Sequence, residues 1–127
     1  MQHIAILRQP FFNMVLNGEK TIESRWSTHK VAPYGKVNVG DEILLKETGK
    51  DVTATAKVKD VKYYELTPKV VEEIRIIYGK QIGTDKFEDW KDILQKKYCT
   101  LIWLEDVKQI SPIKVQRSNG AGWIVIQ

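Results

Sequence analysis

A short segment near the N-terminus combines several ionisable and hydroxyl side chains with a sequence pattern typical of a β-strand. Its sequence is Gly18-Glu19-Lys20-Thr21-Ile22-Glu23-Ser24-Arg25-Trp26. Side chains alternate along a strand, so one face is predicted to carry Thr21, Glu23 and Arg25, and the other Ile22, Ser24 and Trp26. Lys20 comes soon after Gly18, a residue that can end a helix in a left-handed conformation, so the turn sets its direction. One face of this strand therefore carries the groups that could bind or react with a ligand, and the other face mainly packs against the protein core.

The chemistry of this face fits an anionic, nucleotide-like ligand. Lys20 and Arg25 can neutralise phosphate, Arg25 with a planar two-pronged geometry, while Glu23 can orient Arg25 or accept from a base amino group. Trp26 can offer a stacking surface, although packing is its expected role. The alternative is structural: an ion pair of Glu23 with Lys20 or Arg25 that only fixes the junction between helix and strand.

Length and composition predict one domain, residues 1–127. The chain is long enough to bury a single core, and 43% of its residues are hydrophobic. The formal charge of +4 and the pI near 9.1 favour an anionic partner such as RNA without requiring one. A basic track is expected to add to the motif, formed by Lys46, Lys57, Lys59 and Lys62.

Cysteine and histidine are too scarce for a metal site of the usual structural kind. Cys99 is the one cysteine, and His3 and His29 are the two histidines, so an internal disulfide is excluded and a zinc site is not expected. We expect Cys99 to be a small buried hydrophobe. The N-terminus is unlike a signal peptide and no apolar run is long enough to cross a bilayer, so we expect a cytoplasmic protein that has no membrane contact and needs no cofactor.

The pattern of elements predicts an α+β fold with a curved sheet. The predicted strands are His3–Leu7, the motif itself, Glu42–Glu47, a long bent strand over Val52–Tyr64, Cys99–Val107, a segment around Ile113–Val115, and Trp123–Gln127. The predicted helices are Phe11–Asn17, one from Pro68 to about Tyr78 capped by Thr67, and one from near Thr84 that packs through Phe87, Trp90, Ile93 and Leu94. A barrel is the favoured arrangement of these strands.

A polar loop precedes the last strand and is a second candidate for ligand contact. Its sequence is Gln116-Arg117-Ser118-Asn119-Gly120-Ala121-Gly122, and its glycines permit close approach of the backbone to a ligand. Arg117, Ser118 and Asn119 of this loop are therefore candidate ligand contacts. A hairpin loop without such a function is the alternative.

Taken together, the motif resembles the signature of the ASCH domain family, which is part of the PUA-like superfamily. The family pattern is Gly, any residue, Lys, two residues, Glu, any residue, Arg, and it is matched by Gly18, Lys20, Glu23 and Arg25. The Val39-Gly40-Asp41 turn and the segment from Pro112 to Trp123 also look like their counterparts in that family.

The resemblance implies a small mixed β-barrel with flanking helices and a cleft where the motif residues gather. It also implies an association with RNA, so the expected function is binding of RNA or a nucleotide in a cleft lined by the motif, Lys46 and the late loop.

The family also implies an alternative, a metal-independent hydrolase. Some bacterial members act as nucleases, and others are acetylcytidine amidohydrolases that use a Lys, a Thr and a Glu. Lys20 matches the lysine, but Glu23 occupies the position of the threonine and Thr21 is out of register; Glu72 or Glu73 is a possible match for the glutamate. A hydrolase could still use Lys20 as base, Glu23 as proton donor and Ser118 to stabilise an oxyanion.

Overall fold

The computed structural model describes residues 1–83, 90–115 and 121–126. In these residues the strands are β1 (Gln2–Leu7), β2 (Ile22–Ser27), β3 (Glu42–Glu47), β4 (Val52–Glu65), β5 (Tyr98–Ile113) and β6 (Trp123–Ile126). The helices are α1 (Phe11–Leu16), α2 (Pro68–Ile82) and the short α3 (Trp90–Ile93).

The strands form one mixed sheet in the order β2-β5-β4-β3-β1-β6. Strands β1 and β3 are parallel, and the other neighbours are antiparallel. The pairing of the two longest strands, β4 and β5, shifts register at several points, and such bulges bend a strand and increase its twist. The sheet therefore curls into a half-barrel, which confirms the predicted α+β fold with a small mixed barrel.

The sheet buries apolar side chains on both faces. Its concave face holds the larger core, in which Phe11, Phe12 and Val15 of α1 pack against Ala5, Leu45 and Ile102 from the strands. A second core lies between the convex face and α2, and it contains Ile22, Ile74, Ile82, Cys99 and Leu101. Helix α2 therefore lies against β2 and β5, which places its C-terminal end close to the motif.

Helix α2 begins as predicted and ends later than predicted. Thr67 accepts a hydrogen bond through its hydroxyl from the Val70 N–H (3.2 Å), and Pro68 takes the first helical position. The helix continues past Tyr78 to Ile82 and ends at Gly83, which has a left-handed φ of 82°. The additional turn brings the last carbonyls of α2 to the beginning of β2.

Two other boundaries differ from the prediction. The expected break between Val107 and Ile113 does not exist, because β5 continues to Ile113. Beyond Trp103 that strand is paired with β4 and no longer with β2, so Pro112, which lacks an N–H, is tolerated near its end. Of the second predicted helix, residues 84–89 lie outside the described residues; Ile93 is buried as expected, but Leu94 is exposed because the helix ends at Ile93.

Candidate functional site

Lys20 is held at the junction of α1, β2 and α2. Gly18 has a φ of 83° after α1, and the Lys20 N–H then donates to the carbonyl of Met14 (2.9 Å), which turns the side chain inward. Its ammonium donates to the carbonyls of Ile22 (2.8 Å) and Ile82 (2.6 Å) and lies 3.2 Å from Glu23 Oε1. An ammonium has three donors, and these three oxygens match them. Lys20 therefore caps the C-terminal end of α2 with a positive charge, where the helix dipole favours one.

Glu23 is the buried centre of this cluster. Its Oε1 accepts from Lys20 and from the Ser24 N–H (2.9 Å), and its Oε2 accepts from Arg25 Nη2 (3.0 Å). Burial alone would raise the pKa of this carboxyl, but the charges and hydrogen bonds of Lys20 and Arg25 outweigh it, and the pKa lies below its ordinary value of 4.5. Glu23 is therefore held as a carboxylate between two cations.

Arg25 connects the two edges of the curled sheet. Its Nη2 donates to Glu23 and to the carbonyl of Ile6 on β1 (3.0 Å), and its Nη1 donates to the carbonyl of Gly122 (3.0 Å), just before β6. The guanidinium also lies 5.3 Å from the centre of the Trp123 ring. Since β2 and β6 are the outermost strands of the sheet, Arg25 bridges the opening of the half-barrel by side-chain contacts.

Lys20 and Glu23 also satisfy backbone groups at the open edge of β2. The Leu104 N–H donates to the Thr21 carbonyl, so in the antiparallel register odd-numbered residues of this strand bond to β5. Even-numbered residues point their backbone groups to the open edge, where Lys20 bonds the Ile22 carbonyl and Glu23 bonds the Ser24 N–H. The motif thus supplies partners for backbone groups that an edge strand would otherwise leave open.

The other predicted residues are distributed around this cluster. Thr21 is exposed, while Trp26 faces the convex side and packs on the second core. Lys46 is buried on β3 as the register partner of Ile6. Arg117, Ser118 and Asn119 lie outside the described residues, although Gly122, shortly after them, is bonded to Arg25.

The glutamates considered for a hydrolase are not brought to Lys20. Lys20 contacts the last turn of α2 at Ile82, whereas Glu72 lies near the helix start, about 15 Å away along the axis at 1.5 Å per residue. Glu72 is exposed and pairs with Arg75, and Glu73 is exposed as well. Neither carboxylate is positioned to act with the Lys20 ammonium.

Three tyrosines from separate segments of the chain pack against one another, and no pattern in the sequence predicted this. Tyr34 comes from the loop after β2, Tyr63 from β4 and Tyr98 from β5; ring centres are 5.3 Å apart for Tyr34 and Tyr63 and 5.1 Å for Tyr34 and Tyr98. Lys30 lies above the Tyr98 ring, 5.6 Å from its centre. We call these four residues the tyrosine cluster. Their separations in sequence left no local spacing to recognise.

A second buried polar chain lies behind Trp123. The Trp123 Nε1–H donates to His3 Nδ1 (3.1 Å), and His3 Nε2 lies 2.8 Å from Asp41 Oδ2. Burial alone would raise the pKa of Asp41, but hydrogen bonds from His3 and from the Asn38 N–H lower it below its ordinary value of 3.8. This chain joins β6, β1 and the turn before β3, and so it supports the ring against which Arg25 lies.

Cys99 and most other residues of metal-binding type can be located in the described part of the chain. Cys99 is fully buried, as predicted, and burial raises the pKa of its thiol well above the ordinary value. Within residues 1–83, 90–115 and 121–126, three or more His, Cys, Asp or Glu side chains do not gather at any point where they could hold a metal ion. In the same residues, none of the helices is long and apolar enough to cross a membrane.

Comparison with known proteins agrees with this architecture. The sequence profile described as "ASCH domain" matches residues 6–114, and the chain belongs to the ASCH domain family. ASCH domains are PUA-like and are generally nucleic-acid binding. No curated protein matches the chain.

Solved structures show the same fold at low sequence identity. ASCH from Zymomonas mobilis is 17% identical, with a TM-score of 0.73 over 99% of this chain and 87% of that one. A tyrosine-to-phenylalanine variant of the same protein is 19% identical, with a TM-score of 0.66 over 90% and 76%. The hypothetical protein PH0355 is 18% identical, with a TM-score of 0.52 over 87% of this chain and 100% of that one.

Proposed function

We propose that this chain binds single-stranded RNA or a nucleotide-like ligand at the open edge of the half-barrel, with Arg25 as the motif residue that contacts the ligand. The carrying observation is the difference between the two cations. The Lys20 side chain is 2% exposed and its ammonium faces three oxygens, whereas the Arg25 side chain is 21% exposed. Three of the five guanidinium N–H donors of Arg25 bond to described residues, which leaves Nε–H and one Nη1–H for a ligand.

In this proposal Lys20 and Glu23 are positioning residues. Glu23 holds one edge of the guanidinium, and Lys20 neutralises Glu23 while tying β2 to α2. A pre-oriented guanidinium matches the planar geometry of a phosphate or a base edge better than a mobile one. Gly18 contributes the turn that brings Lys20 inward.

The remaining predicted contacts stay part of the proposal. Arg117, Ser118 and Asn119 precede Gly122, whose carbonyl Arg25 binds, so the loop that carries them ends next to the guanidinium. Thr21, Trp26 and Lys46 are retained as predictions from the sequence, and the packing of Trp26 on the second core favours a structural role for that residue. A cytoplasmic setting is also part of this proposal.

The hydrolase alternative stays a prediction that the same experiment can test. A general base must accept a proton, and the Lys20 ammonium donates to Ile22, Ile82 and Glu23, which all favour its charged form. The geometry therefore favours a positioning role for Lys20 over the role of a base.

Binding is tested by fluorescence anisotropy of a labelled single-stranded RNA at two salt concentrations. The variants are Arg25→Lys, which keeps the charge but not the planar guanidinium, and Lys69→Ala, which removes an exposed cation at the start of α2. We expect salt-dependent binding by the wild type and about 10-fold weaker binding by Arg25→Lys, the size of one good bidentate contact. The Lys69→Ala variant should bind nearly as the wild type does.

Recovered RNA is run on a gel after each titration. Intact RNA together with salt-dependent binding supports a binding domain. Cleavage of the RNA that continues after the protein has been purified further would favour the hydrolase. Absence of binding at low salt, or equal affinities of Arg25→Lys and the wild type, would contradict the proposal.

A further inference from the structure

We infer that the tyrosine cluster is a stacking subsite for an unpaired nucleobase, adjacent to the phosphate- or base-binding Arg25. This inference rests on the proposed function and extends it, because it assigns a place to the base. Three observations carry it: the register of three strands, the state of the tyrosine hydroxyls and the position of Lys30.

The register places the tyrosines and Arg25 on one face of the sheet. Thr100 on β5 is the direct partner of Arg25 on β2 and also of Tyr63 on β4. Directly paired residues point to the same face with Cβ atoms about 4.5–5.5 Å apart, so the three side chains form one row across three strands. Tyr98 precedes Thr100 by two residues and points to the same face. Tyr63 and Tyr98 therefore share the concave face with Arg25, and Tyr34 packs against both of them.

The hydrogen bonds of the hydroxyl groups distinguish one tyrosine with a structural role from two whose hydroxyls can bond to a ligand. Tyr63 donates to the Val37 carbonyl (2.7 Å) and accepts from the Val37 N–H (2.8 Å), which fixes its ring against the loop. Within the part of the chain that the structure describes, the hydroxyls of Tyr34 and Tyr98 have no such partner. Both rings are half-buried, so they offer a fixed apolar surface together with a polar group for a ligand.

The charges around the cluster fit a base with its phosphate. Lys30 is exposed, and its ammonium lies 5.6 Å from the centre of the Tyr98 ring. From this position the ammonium can contact the phosphate of a nucleotide whose base stacks on the ring. Glu65 is the register partner of Tyr98 and exposed, so its carboxylate is on the same face and can accept from a base amino group. Aromatic rings bordered by cations are the usual means of binding single strands, whose bases are open to stacking.

A similar group of a lysine and aromatic rings lies on the convex face of the sheet, and it serves as a control for the tyrosine cluster. Lys62 lies above the rings of Tyr78 (5.7 Å) and Trp103 (5.4 Å), and those two rings are 5.3 Å apart in an edge-to-face arrangement. Like Lys30 it is exposed and in contact with aromatic rings, but it pairs with Leu101 of the second core and its neighbour Tyr78 belongs to α2, so Lys62 lies on the convex side. The basic track expected from the sequence therefore does not bring Lys62 to Arg25. Substitutions at Lys30 and Tyr98 can therefore be compared with the same residue types at Lys62 and Tyr78. A difference in RNA binding would then come from the position of the side chain and not from its chemical type.

The test compares a labelled single-stranded RNA with an oligomer of the same length that lacks all bases. For the wild type we expect about 10-fold weaker binding of the abasic oligomer, the size of one base–aromatic stacking interaction. Tyr98→Leu should bind both oligomers with the low affinity of the abasic one, while Tyr98→Phe should retain the preference. Lys30→Ala should reduce the dependence of log K on log salt by about 0.7, the contribution of one phosphate contact. Tyr78→Leu and Lys62→Ala should behave as the wild type does.

Each outcome separates the two proposals. Salt-dependent binding of RNA by the wild type with no preference over the abasic oligomer, or with a preference that survives in Tyr98→Leu, would overturn the subsite and leave the proposed function standing. Binding of neither oligomer would overturn the proposed function itself. If Tyr98→Leu does not fold, the wild-type comparison of the two oligomers and the Lys30→Ala slope still decide the matter.

Discussion

Arg25 Nη1 donates to the carbonyl of Gly122 at 3.0 Å, a contact between residues 97 positions apart in the chain. With the bond to Ile6, it ties β2 to β1 and to the start of β6 across the opening of the half-barrel. Arg25, the last residue of the family motif, thus holds the two edges of the sheet together and bonds to Gly122, which follows the late polar loop in sequence. The proposed ligand contact and the closure of the sheet therefore depend on the same side chain.

The buried ion pair of Lys20 and Glu23 should contribute strongly to stability. Removing one partner leaves a buried charge uncompensated, so we expect Lys20→Met and Glu23→Gln each to lower the free energy of unfolding by about 3 kcal/mol. The matched control is Lys50→Met, which removes an exposed pair with Glu47 of the same i,i+3 spacing and should change stability by less than about 1 kcal/mol. Urea unfolding measures all three variants. Equal effects of Lys20→Met and Lys50→Met would contradict this view of the motif.

Stability should fall in acid because two carboxyls are held ionised in the folded state. The pKa values of Glu23 and Asp41 lie below their ordinary values of 4.5 and 3.8, despite burial, because Lys20, Arg25 and His3 favour the carboxylates. A lowered folded pKa gives stability that is complete above the ordinary value and is lost as pH falls through the folded one. The free energy of unfolding should therefore decrease below about pH 4.5. Glu23→Gln should flatten this dependence, and an unchanged slope in that variant would refute the assignment to Glu23.

Gly83 should tolerate alanine less well than another left-handed glycine. Gly83 and Gly49 have φ values of 82° and 80°, so a side chain is strained at both. A Cβ at Gly83 would lie 2.8 Å from Met14 Cε and 3.7 Å from Lys20 Cβ, whereas at Gly49 it would meet nothing within 4 Å. Gly83→Ala should cost about 1 kcal/mol from the backbone plus the displacement of Met14, and Gly49→Ala only the first. Thermal unfolding of the two variants would contradict this if their losses were equal.

The imidazole of His3 should be found in one tautomer. The indole N–H of Trp123 is a donor without acceptor capacity, so the Nδ1 that it reaches must accept. Nε2 then carries the proton and donates to Asp41. At pH 7, ¹⁵N NMR of the imidazole should show a protonated Nε2 and an unprotonated Nδ1. The opposite tautomer would mean that the hydrogen bond from Trp123 is absent in solution.

The elements with strong local signals could be predicted from the sequence. The Thr67-Pro68 start of α2 and the bent strand β4 follow from capping and from β-branched alternation. The end of α2 could not, because its last turn is stabilised by Lys20, which is 62 positions from Ile82 in the chain. The motif residues could be recognised from their spacing in the sequence. Their burial could not, and neither could the tyrosine cluster, because both depend on contacts between distant segments. Local spacing carries no information about such contacts.

Binding of RNA near Arg25 is best tested by photocrosslinking of a single-stranded RNA that contains 4-thiouridine, with the linked peptides identified by mass spectrometry. We expect crosslinks at Lys30, Tyr34 or Tyr98 and in the segment that contains Arg117, and we expect Arg25→Lys to reduce their yield. Crosslinks concentrated on the convex face, at Tyr78 or Trp103, with a yield unchanged in Arg25→Lys, would contradict this expectation.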